Sequence, residues 1–211
     1  MSGCAFLEEV SRQNVLNYEL DEEFMQENTV SVEMGEVITL DSKEDNRGEE
    51  FMYVASFGWE GVMELQINDA VVYASPQEPG VGESDLFFSW TEATEREADR
   101  KFCFVVISLT LNNIDAVLDS GSGEEHFMIS ILRLLNKTKS NEYIEAAYFD
   151  STTENAGIKD GYRFDIKVGE KKDMKLGYFI YEDELDNEYC YSVGTANIDK
   201  YKVEIDLSPM A

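Results

Sequence analysis

Histidine, proline and cysteine are nearly missing from this chain. Its 211 residues hold one histidine, His126, three prolines, and three widely spaced cysteines, Cys4, Cys103 and Cys190. With no second histidine and no Cys-x-x-Cys pair, neither a His-based metal site nor a zinc or disulfide framework can be assembled. No nucleophile–base constellation stands out either, so the chain reads as a non-enzyme. His126, in "GEEHF", reads as a surface or strand-end residue, and Cys103, inside "KFCFVVISL", as a small buried hydrophobe. An odd, unpaired set of cysteines fits a reducing cytoplasm. No apolar run approaches the roughly 18 residues of a transmembrane helix, and no apolar stretch behind Met1-Ser2-Gly3-Cys4 marks a signal peptide.

Basic residues are also scarce, 17 Lys and Arg against 44 Asp and Glu, for a formal net charge of −27. That balance excludes a nucleic-acid interface, which needs a basic surface. It suits a solvated surface, a bound cation or a basic protein partner. The deficit is uneven. Arg133 to Lys175 carries 9 basic and 8 acidic residues, whereas the remainder carries 8 and 36, a net −28. The −28 portion would engage a basic partner, while the near-neutral strands stay free or self-associate.

What the chain does contain is apolar and aromatic residues, at 43% and 12%, enough for a substantial core. Residues 5–27 lack Gly and Pro and place Phe6, Val10, Leu20 and Phe24 along one stripe, interrupted by Asn14 and Asn17, which predicts a helix or extended arm. Beyond Thr29, short β-branched and aromatic runs alternate with turn residues. Strands are expected at 36–40, 51–57, 63–67, 70–74, 85–90, 102–111, 127–135, 143–149, 162–168, 174–181, 188–193 and 201–207. In "YRFDIKV" (162–168) and "YKVEIDL" (201–207) apolar and polar residues alternate strictly, the mark of half-buried antiparallel strands. "GEKKD" (169–173) and "EDELDNE" (182–188) read as hairpin connections, and 110–118 as a short helix or loop. The fold expected is all-β, a β-sandwich of mostly antiparallel strands. Residues 1–28 form an N-terminal helical arm or extension, and 29–211 a single domain.

Chemistry-bearing motifs are weak. "GSG" at 121–123 is too short for a phosphate loop and lacks the following Lys-Ser/Thr. Calcium needs clustered oxygen ligands on loops. "EDELDNEY" offers many, without the glycine or spacing of an EF-hand. In "FGWEG" (57–61) the glycines permit a sharp turn, so that Trp59 packs over the end of the fold.

Taken in order, several segments resemble the TerD family of tellurite-resistance and stress-response β-sandwich domains. They are "MGEVITLDS" (34–42), "EEFMYVASFGWEG" (49–61), "ELQINDAVVYA" (64–74), "ESDLFFSW" (83–90), "KFCFVVISL" (101–109), "FMISILRLLNKTKSNEYIEAAYFD" (127–150) and "MKLGYFIYEDELDNEYCYSVGT" (174–195). The resemblance rests on collinearity over 34–195. It implies a calcium site on acidic loops at one end of the sandwich. The family's Asp-x-Asp-x-Asp segment falls here on Glu64, Gln66 and Asn68, and the acid heading the next strand on Asp85. Two charges of that ligand set are gone. The family's Gly-Asp-Asn loop has no counterpart in "TEATEREADR" (91–100), which weakens a calcium site further. The sequence thus points first to an acidic binding or scaffold protein of a stress-response or defence system. The alternatives are a calcium-binding module, with Ca2+ as its cofactor, and a structural component of a phage or secretion assembly that docks through the 1–28 arm.

Overall fold

The structure is a computed structural model that describes residues 29–42, 59–96, 99–118, 126–155, 158–159, 163–195 and 198–207. The expected arm over 1–28 and strand over 51–57 lie outside these residues. The described chain is all-β, with sixteen strands and one α-helix. The first six strands are β1 (Val30–Val32), β2 (Val37–Asp41), β3 (Trp59–Glu60), β4 (Val62–Tyr73), β5 (Phe102–Asn113) and β6 (Val117–Leu118), with α1 (Trp90–Arg96) between β4 and β5. Then come β7 (Phe127–Met128), β8 (Leu132–Asn136), β9 (Glu142–Ile144), β10 (Ala146–Phe149), β11 (Glu154–Asn155) and β12 (Ile158–Lys159). Last are β13 (Arg163–Phe164), β14 (Lys171–Tyr181), β15 (Tyr189–Thr195) and β16 (Ile198–Ile205).

Two five-stranded sheets dominate. The first has the order β1-β16-β15-β8-β9 and the second β10-β14-β5-β4-β2. Every pair within them is antiparallel except β1–β16, which is parallel. Their inner rows meet in one core. The second sheet supplies Ile38, Leu65, Ile107, Leu109, Leu176 and Ile180, and the first Leu134, Tyr191, Val193, Val203 and Ile205. Across that core the Tyr178 and Tyr191 hydroxyls share a buried hydrogen bond of 2.8 Å. It satisfies two polar atoms that burial would otherwise penalise.

Burial explains why β5 reads as an almost unbroken apolar run. Its inward row, Cys103 to Leu111, joins the main core. Its outward Phe104 and Val106 join a second cluster with Val81 and Leu86, against Tyr73, Trp90, Tyr148 and Phe179. The connection from β4 to β5 crosses the outer face there and covers it, so both sides of the strand are buried.

Several expected strands take another form. The runs expected at 63–67 and 70–74 are one twelve-residue strand, β4, interrupted by a register shift between Ile67 and Asp69. That bulge adds one residue, so Met63, Leu65 and Ile67 and then Ala70 and Val72 all reach the same core. Residues 85–90 form no strand. Glu83–Asp85 is a 3-10 turn, and Trp90 opens α1. "YIEAAYF" divides at Glu145 into β9 of the first sheet and β10 of the second. "EDELDNE" is not a hairpin either, because β14 and β15 belong to different sheets and it crosses between them. Among the described residues of "YRFDIKV" (163–168), Arg163–Phe164 alone pairs as a strand, with β7, although Phe164 and Ile166 are buried as the alternation required. The segment 110–118 holds the end of β5, a turn and β6 rather than a helix.

Candidate functional site

The bulge in β4 divides the outer face of the second sheet into two halves of opposite character. Beyond it, towards Tyr73, the face is aromatic and covered. Before it, the face is polar. Cross-strand register sets Thr39, Glu64, Asn112 and Lys171 in one row, and Val37, Gln66, Thr110 and Asp173 in the next. These side chains are stitched to one another. Asn112 Nδ2 donates to Glu64 Oε2 at 2.9 Å. Asn68 Nδ2 donates to Thr110 Oγ1 at 2.9 Å, and that hydroxyl donates to Asp173 Oδ1 at 2.6 Å. Gln66 Nε2 donates to the Gly35 carbonyl at 2.7 Å, tying the β1–β2 turn to β4. The face is an ordered array of carboxylate, amide and hydroxyl groups, with Lys171 and Lys175 exposed on β14.

Three of the four sequence-predicted ligands, Glu64, Gln66 and Asn68, therefore share one face. The fourth, Asp85, does not join them. Its carboxylate accepts from Gly82 N at 3.1 Å, and Phe87 N beside it donates to Ala147 O of β10 at 2.8 Å. β10 lies three strand spacings from β4, or about 14 Å. Calcium takes about six to eight oxygen ligands. One carboxylate and two amides that already hydrogen-bond within the sheet do not fit that demand. Among the described residues no group of three His, Cys, Asp or Glu side chains is placed to hold a metal ion. Thr110, Asn112 and Asp173 were not anticipated as members of this face. The signal was present for two of them, since Ser108, Thr110 and Asn112 recur with period two in "SLTLN".

The acids of the β14–β15 crossover have a different use. Glu184 is buried, its side chain 12% exposed. Lys139 Nζ donates to it at 2.8 Å, and the Arg100 guanidinium bridges Glu184 and Asp183. That guanidinium also stacks on the Tyr181 ring, 3.4 Å from its centroid. Burial alone would raise the Glu184 carboxyl. The hydrogen bonds from Lys139 and Arg100 outweigh it and hold the group below the usual carboxylate range. Tyr189 donates to the Glu184 carbonyl at 2.9 Å, and burial pushes its phenol up to about 12. Arg100 precedes β5 of the second sheet and Lys139 follows β8 of the first, so this cluster ties the two sheets together at one end.

A shallow cavity of about 360 Å³ opens beside it, lined by Ala74, Thr94, Arg100, Lys101, Phe102, Cys103 and Glu182. Burial raises the Cys103 thiol above its ordinary value, which disfavours the reactive thiolate. His126 Nδ1 meets Asp165 Oδ1 at 2.8 Å, an exposed pairing at the start of β7. Trp59 is 2% exposed and packs edge-on against Phe127 at 5.9 Å. The turn after it requires glycine. Gly61 has φ +108°, and a Cβ there would lie 2.8 Å from the Asp115 carbonyl.

Two five-stranded sheets around one core, with a hydrogen-bonded polar field on an outer face, define an all-β domain. The chain belongs to the family described as Domain of unknown function (DUF5027), whose model matches residues 54–205. No curated protein and no solved structure matches the chain. Among the described residues no helix is long and apolar enough to cross a membrane.

Proposed function

We propose that this chain is a non-catalytic, acidic binding domain of β-sandwich architecture, acting as a scaffold that engages a basic protein partner. The observation that carries the reading is electrostatic. The chain carries a net charge of −27, and its polar sheet face presents Glu64 and Asp173 among neutral hydrogen-bonding groups, beside Lys171 and Lys175. Such a face recognises Lys- and Arg-rich segments by charge and by its carboxylate and carbonyl oxygens. Its place in a stress-response or defence system rests on the TerD-like resemblance of the sequence over 34–195.

The test is a titration of the full chain with polylysine, beside a neutral polymer as control. Between about 0.01 M and about 0.15 M salt the Debye length falls from roughly 30 to roughly 8 Å. Binding driven by this surface weakens steeply over that range, and the double variant Glu64→Gln/Asp173→Asn weakens it severalfold. Affinity that is indifferent to salt would remove the mechanism.

A further inference from the structure

The outer face of the first sheet is buried. Alternation along its strands turns Leu134, Tyr191, Val193 and Val203 into the core, which sends Leu135, Cys190, Ser192 and Lys202 outward. On an uncovered sheet such side chains meet water. Here Cys190 and Ser192 are 0% exposed and Leu135 is 7% exposed. Among the described residues, β15 packs chiefly against β16, β8 and the 3-10 turns Ile129–Ile131 and Lys137–Lys139 that flank β8. Leu135 belongs to neither of the two apolar clusters. The Lys137–Glu204 ion pair, 3.0 Å long, spans β15 at the Cys190 end. Ser192 lies two residues further along, about 7 Å away, and is equally buried. A further layer of this same chain therefore covers the face.

Two long stretches lie outside the described residues, 1–28 and 43–58. The second leaves from β2, at the edge of the other sheet. The first runs straight into β1, the edge strand of this sheet, two strand spacings or about 10 Å from β15. Even as a helix, residues 5–27 would extend about 34 Å, more than the roughly 20 Å width of five strands. Their chemistry matches the face on two counts. The stripe of Phe6, Val10, Leu20 and Phe24 suits Leu135 and the soft, apolar Cys190. Residues 5–27 carry seven acidic residues and one basic, whereas Arg133 and Lys202 flank Ser192 in one row of the face. In a chain of net charge −27, that row attracts an acidic segment where most of the surface repels it. We propose that residues 5–27 fold back across the outer face of the first sheet of their own chain, with the apolar stripe on Leu135 and Cys190 and the carboxylates towards Arg133 and Lys202. The arm then serves its own chain, not a neighbour, and leaves the polar face of the second sheet untouched.

Thiol alkylation of the full chain, read peptide by peptide in a mass spectrometer, tests the contact. In the parent, Cys190 is expected to react as slowly as Cys103, since both are buried. Leu20→Asp/Phe24→Asp places charge on the apolar stripe. It should speed alkylation of Cys190 roughly tenfold or more and leave Cys103, inside the core, slow. The thiol introduced by Ser192→Cys, clear of the Lys137–Glu204 pair, should respond in the same way. If both reporters stay protected in the double variant, the cover belongs to 43–58 and the proposal is overturned. Zero-length carbodiimide coupling of the unaltered chain is the second measurement. Links from Lys202 to carboxylates of the arm are expected within the monomer. Links found only between copies, or none to the arm, also overturn it.

Discussion

Replacing Gly177 by alanine tests the packing of the covered half of the second sheet. Gly177 sits on the outward row of β14, opposite Val106 of β5 and Tyr148 of β10. A Cβ there would lie 2.3 Å from Phe104 Cζ, 2.6 Å from Phe104 Cε2 and 3.0 Å from Tyr148 Cβ. Carbon atoms rest at about 3.5 Å or more, so the ring would have to retreat by roughly 1.2 Å. It has little room to do so. Phe104 is 0% exposed, and Val81, Leu86, Tyr73 and Phe179 pack around it. Overpacking of this kind costs about 1–3 kcal/mol. In a domain of this size that lowers Tm by roughly 2–12 °C. Urea unfolding should show a reduced midpoint with an unchanged slope. Phe104→Leu should partly restore the loss, because the shorter side chain vacates the space that the new methyl needs. The double variant should then be less destabilised than the two single changes added together. A Gly177→Ala midpoint within about 0.5 kcal/mol of the parent, or strict additivity with Phe104→Leu, would refute the argument.

Glu184→Gln should destabilise by about 1–3 kcal/mol, the worth of hydrogen bonds to a charged group; Arg100 and Lys139 can turn to solvent, which keeps the loss from being larger. Acid should have a related effect. The folded Glu184 carboxyl lies below the ordinary glutamate value of 4.5, so its stabilisation is complete above that pH and disappears as pH falls through the folded value, visible as a declining Tm. Alkali acts on Tyr189, whose phenol burial raises from the ordinary value of 10.0 to about 12. Its contribution is present below pH 10 and is lost as pH rises towards 12, by an amount on the order of 3 kcal/mol; a flat Tm across that range would contradict the burial of this phenol. Asn113→Ala should cost about 2–4 kcal/mol, since it strands the Ala116 N–H and the carbonyls of Ala116 and Ile166, all bonded to the buried Asn113 side chain, and hydrogen exchange at Ala116 should quicken.

The strands were largely legible because period-two burial writes itself into composition. The alternation at 201–207 matches the buried Val203, Ile205 and Leu207. Where the reading failed, the cause lay in pairing. "YIEAAYF" is one apolar run, yet its halves enter different sheets, and nothing local to Glu145 announces the change of partner. "DLFFSW" has strand composition. Its Ser89 serves instead to open α1, with Ser89 Oγ donating to Glu83, just upstream, at 2.6 Å and accepting from Glu92 N at 3.1 Å. The candidate face was half visible. Glu64, Gln66 and Asn68 share a strand, so spacing alone aligns them. Asp173 reaches the same face from β14, and only the tertiary register opposite Thr110 brings it there. Asp85 was separated from them by a connection whose path over the aromatic cluster no local pattern encodes.

The parallel pairing of β1 with β16 has a mechanical meaning. Val30, Ser31 and Val32 lie beside Tyr201, Lys202 and Val203 with both strands running the same way. Chain entering β1 and chain leaving β16 therefore depart from opposite ends of the pair. A force drawing those two ends apart slides one strand along the other and loads all the bonds between them at once, instead of opening them one after another. Pulled from both sides, the domain would bear tension through this clamp while its polar face keeps its shape.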